Sequence, residues 1–85
     1  MKWIEVESQN ILKFKYSGHS NELAIVFRKR PKLVYVYALV PRWVFDQLRL
    51  AGGSPGYGEY FHANIKPNYQ FEIVAIAALR RGGWA

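Results

Sequence analysis

Apolar and polar residues alternate along LKFKY (12–16), with Leu12, Phe14 and Tyr16 on one side and Lys13 and Lys15 on the other. A period of two predicts a half-buried strand. SGHSN (17–21) then reads as a turn in which Gly18 and Asn21 accommodate positive φ. ELAIVFR (22–28) repeats the alternation with Leu23, Ile25 and Phe27. KRPK breaks it, because Pro31 has no amide to give to a strand ladder. LVYVYAL (33–39) is a third strand that places Leu33, Tyr35, Tyr37 and Leu39 on one face. Connections this short predict an antiparallel meander.

At Val40-Pro41 the period changes. Val40, Val44, Leu48 and Ala51 follow helical spacing, with Trp43 beside them. Pro41 suits the first helical position, and Gly52-Gly53 end the helix. EYFHANI sets Phe61 and Ile65 four apart and predicts a short second helix, stopped by Pro67. Ser54 is a candidate cap for it. The segment after Tyr69 is ambiguous: Phe71 and Ile73 alternate with Glu72 as in a strand, while Ala75 to Arg81 fits a helix equally well. The reading adopted is a strand over about 70–76.

The expected fold is therefore α+β: a three-stranded antiparallel β-meander packed on two short helices, with an extra C-terminal strand from the tail. Residues 1–76 form one domain, and 77–85 a basic, mobile tail carrying Trp84. Phe14, Ile25, Phe27, Tyr35, Tyr37, Val44, Leu48, Phe61 and Ile65 are the expected core. Trp3 is expected at a sheet edge.

Composition adds a partner class. Twelve Lys and Arg against six Asp and Glu give +6. Such a balance favours polyanionic partners, nucleic acid first. There is no cysteine, which removes disulfides, thiolate metal sites and cysteine catalysis. No apolar run is long enough to span a membrane, and a soluble, cytoplasmic protein is expected.

Four of the cations crowd into one turn. Arg28, Lys29, Arg30 and Lys32 have no acid among them and can contact phosphates. The bland alternative is a solvated tip that blocks edge aggregation. Lys13 and Lys15 extend the candidate patch. Tyr35 and Tyr37 fit either a base-stacking surface or the core beneath the helices, and their shared face with Leu33 and Leu39 assigns them to the core. GGSPGYGEYF lacks the Lys-Ser/Thr ending and the preceding strand of a phosphate loop. Glu59 and His62, one turn apart without a third ligand, make no metal site, and no Ser-His-acid set suggests an enzyme. No cofactor is expected.

The motifs combine into a pattern: Ser8-x-Asn10-Ile11, Tyr16, Leu23-x-Ile25-x-Phe27, Tyr35-x-Tyr37, Val40-Pro41-x-x-Val44-x-x-x-Leu48, Ser54-x-Gly56, Tyr60-Phe61-x-x-x-Ile65 and Tyr69. Over residues 4–69 it resembles the KTSC domain, named for its place at the C-terminus of some lysyl-tRNA synthetases. The resemblance implies a module leaning toward nucleic acid and supplies no catalytic residue. Two departures stand out: the turn RKRPK is longer and more basic than the family's, and the tail runs beyond the usual domain. The functional expectation is a small non-enzymatic nucleic-acid-binding module, RNA ahead of DNA. The alternative is a protein-interaction module using the basic tip or the apolar C-terminal strand. An exposed apolar edge formed by Phe71, Ile73, Val74 and Ile76 would favour the alternative.

Overall fold

The computed structural model describes residues 2–80. Five strands form one antiparallel sheet: β1 (Ile4–Glu5), β2 (Ile11–Ser17), β3 (Glu22–Phe27), β4 (Leu33–Tyr37) and β5 (Phe71–Ala75), paired in chain order. The expected three-stranded meander is its centre. The tail does supply a strand, β5, and β1 is an additional one that two residues are too few to reveal by periodicity.

A bulge corrects the alternation predicted for β2. Ile11 opposes Phe27, but Lys13 opposes Val26, so Leu12 is the extra residue. Ile11 therefore joins Phe14 and Tyr16 in the core, and Leu12 packs with a second cluster. In the β2–β3 turn Asn21 takes φ 55°, whereas Gly18 is not left-handed. β4 ends two residues earlier than expected. Leu39 adopts φ 56° and is 78% exposed, no longer part of the strand face.

Helix α1 (Arg42–Arg49) begins one residue after Pro41, whose extended ψ of 151° makes it the cap and not the first helical residue. The stripe Val40, Val44, Leu48 and Ala51 is buried as the spacing predicts. Phe45 joins it, while Trp43 is exposed. Asp46, hydrogen-bonded by Arg49 and Arg42 on the outer face, has its carboxyl held below the usual range. Helix α2 (Tyr57–Tyr60) is short and runs into a wide π-helical turn, Phe61–Ile65. Its cap is Gly56 at φ 107°, not Ser54.

Two clusters sandwich the sheet. On the helix side Ile11, Phe14, Tyr16, Leu23, Ile25 and Tyr37 meet Val44, Phe45, Leu48, Phe61 and Ile65. The Tyr16 hydroxyl donates to the Val40 carbonyl at 2.7 Å, pinning β2 to the entry of α1. Of the expected core, Phe27 and Tyr35 are only half-buried, at the margin of this cluster. On the other face Ala24, Val26, Val34 and Val36 are covered by Leu79. Leu79 belongs to a 3-10 turn, Ile76–Arg80, so this part of the expected tail lies on the sheet. The remainder, 81–85 with Trp84, lies outside the described residues. Among the described residues no helix is long and apolar enough to cross a membrane.

Candidate nucleic-acid interface

The six cations expected to act together fall into three settings. Lys13 and Lys15 stand on the face away from the helices. Their Nζ atoms lie 4.9 and 5.2 Å from the centre of the Trp3 ring. Lys15 is buried there, its stem among apolar neighbours and its charge near a π face that favours it. Trp3 thus packs across the sheet face against the second cluster.

Arg28 turns back along its own strand end. Its Nη2 donates to the Val6 carbonyl at 2.7 Å, and its Nε to the Ser8 carbonyl. Both acceptors are neutral, so the charge persists, but the side chain holds the segment leading into β2.

Lys29, Arg30 and Lys32 remain at the β3–β4 turn, all exposed. Arg30 donates from Nη1 to the Tyr35 hydroxyl at 3.2 Å. Lys29 lines a hollow of about 330 Å³ on the helix side of the sheet. That volume lies at the small end of ligand sites, roughly 300–1,000 Å³. Its walls are aromatic. Phe27 meets Tyr35 edge-on at 5.0 Å and Phe61 at 5.4 Å, and Phe71 lies 5.5 Å from Tyr35 and 5.2 Å from Tyr37. Tyr37 forms the floor. Burial pushes its phenol up to about 12, and the neighbouring Tyr35 adds to the rise.

With Asn10 from the loop before β2, His62 and Lys66 complete the rim. Both come from the π turn and its end, where the Lys66 amide donates to the Phe61 carbonyl at 2.9 Å. This five-residue closure, wider than an α-turn, brings Lys66 beside Phe61 over the hollow. The sequence reading took Phe61 as core, weighed His62 only as a metal ligand and passed over Lys66. The signal available was a cation and a histidine at the end of the helix whose aromatic faces the Tyr-x-Tyr strand.

Among the described residues no carboxylate lines the hollow. Among the described residues the ion pairs are Arg42–Asp46 and Arg49–Asp46, both on α1, so the turn cations are not neutralised by described acids. No group of three His, Asp or Glu that could hold a metal forms among the described residues.

Of the sequence pattern, Asn10, Phe27, Tyr35, Tyr37 and Phe61 line the hollow, and a second group meets at the loop before β2. Ser8 Oγ accepts from the amides of Asn10 and Ile11, and a side chain at Gly58 would touch Asn10. The loop before β2 and the start of α2 thus pack together through small and amide residues.

The sequence pattern of the KTSC domain matches residues 7–69. A crystal structure of a KTSC domain protein from Yersinia pestis superposes with a TM-score of 0.74 at 23% identity, over 87% of this chain and 97% of that one. No curated protein matches the chain.

Proposed function

The chain belongs to the KTSC domain family, and from that premise we propose that it is a small non-enzymatic nucleic-acid-binding module that takes phosphates on the β3–β4 turn. The observation that carries the reading is Lys29, which belongs at once to the turn that no described acid pairs and to the rim of the aromatic hollow. Lys32 is exposed in the same turn, and Lys66 shares the rim of the hollow with Lys29. Long, exposed Lys and Arg stems follow a phosphate backbone without reading its sequence. Arg28 contributes charge from a fixed position, and Lys13 and Lys15 contribute only to the field of the opposite face. RNA is the first ligand to test, on the family context given above.

The test is fluorescence anisotropy with short RNA and DNA over a range of salt. Four phosphate contacts predict a slope of log K against log salt near −2.8 on a single strand, about 0.7 per phosphate. Replacing Lys29, Lys32 and Lys66 by Ser should flatten that slope and weaken unrelated sequences equally. Absence of binding at low salt, or a triple variant that binds like the parent, would sink the reading.

A second reading rests on a different observation. β5 is an edge strand, and Phe71 and Ile73 on it are 49% and 46% exposed. Val74 and Ile76 instead pack toward the second cluster. The apolar edge is thus half of what strand addition by a protein partner would use. A pull-down in which a protein partner survives nuclease treatment favours this reading over the first.

A further inference from the structure

We infer that the hollow takes one unstacked nucleobase, so that the module binds single strands in preference to duplex. This rests on the nucleic-acid reading and gives its site a second part. The walls offer ring faces and edges from β3, β4, β5 and the π turn, with centroid spacings of 5.0–5.5 Å among Phe27, Tyr35, Phe61 and Phe71. A flat π system suits such walls, because every base has a face to stack. Among the described residues the rim carries Lys29 and Lys66 and no carboxylate, which favours an occupant with negative charge beside it. A base with its own phosphates meets both requirements.

A base within a duplex has both faces covered by its neighbours and presents only its edge. Phe71, half exposed, and Tyr35, partly exposed, are the rings within an occupant's reach, while Tyr37 at 2% exposure is packed beneath them. Stacking a face on the accessible rings means leaving the helix, which costs a duplex its pairing and stacking and an unstructured strand little. The Arg30–Tyr35 hydrogen bond couples the two parts, since it holds a wall ring from the phosphate-binding turn.

The experiment is a cycle between base and ring. A fluorescein-labelled oligouridine, an abasic strand of equal length and a duplex are titrated against the parent protein and Phe71→Leu. Phe71 is a half-exposed edge residue, and leucine keeps its apolar bulk, so the fold is preserved; a thermal melt checks this. The parent should bind oligouridine at least about fivefold more tightly than the abasic strand, the lower end of what one stacked base contributes. Phe71→Leu should erase most of that difference and leave abasic binding unchanged. If abasic and uridine strands bind alike, or if Phe71→Leu weakens both equally, the base pocket is wrong while phosphate binding stands. If nothing binds at low salt, both fall. Duplex binding as tight as single-strand binding also overturns the inference.

Discussion

The guanidinium of Arg28 holds the backbone carbonyl of Val6 at 2.7 Å, across the mouth of the loop that feeds β2. It grips Ser8 through Nε as well. One member of a run of four cations is therefore a structural strap, and its neighbours Lys29 and Lys32 are not. Charge density in the sequence treats them alike, and the fold does not.

Arg28→Ser should destabilise the protein by roughly 1 kcal/mol, since two hydrogen bonds from a charged donor are lost at an exposed site. Lys29→Ser should stay within about 0.5 kcal/mol of the parent. Urea unfolding midpoints of the two variants decide it. Equal midpoints would mean that the strap contributes nothing.

Tyr16→Phe removes the donor to the Val40 carbonyl in a buried setting. A carbonyl left there without its partner costs about 1–3 kcal/mol. The loss should appear in equilibrium unfolding with little change in the slope against urea, because the surface exposed on unfolding is the same. A variant as stable as the parent would show that water or the nearby Asn21 side chain replaces the bond.

Two adjacent glycines should respond differently to alanine. A Cβ at Gly52 would lie 2.6 Å from the Tyr57 hydroxyl oxygen, and Tyr57 packs on Phe14 at 5.7 Å. Gly52→Ala must displace that ring, at about 1–3 kcal/mol. At Gly53 nothing lies within 4 Å, so Gly53→Ala should be neutral or slightly stabilising through its effect on the unfolded chain. Thermal melts that place both variants at the same midpoint would contradict the packing described.

Stability should fall at alkaline pH in a way that depends on Tyr37. Burial raises its phenol in the folded protein to about 12, whereas the unfolded chain ionises near 10. The folded state resists ionisation, so its advantage is complete below about pH 10 and is lost as pH rises toward 12. Tyr37→Phe should lose less stability between pH 9 and pH 11 than the parent, with lysine neutralisation common to both. Equal losses would show that the Tyr37 phenol is not desolvated as described.

The sequence by itself determined the centre of the fold. Alternation in 22–28 and 33–39 placed two strands, though the second ends at Tyr37, and the helical spacing of Val40, Val44 and Leu48 placed the buried face of α1. These are local signals, because a side chain's burial repeats with the geometry of its own element. Tertiary structure decided what alternation cannot express. One extra residue at Leu12 changes the parity of a strand, and β1 exists only because β2 offers it a partner. Lys13 and Lys15 were legible as opposite the tyrosines, yet their position against Trp3, and not beside Lys29, depends on which chain segment covers that face. The hollow is the clearest case. Its aromatic walls come from three strands and a π turn, and Lys66 reaches it because that turn closes over five residues instead of four. A concavity has no period along the chain. It forms only where elements far apart in sequence meet without filling the space between them.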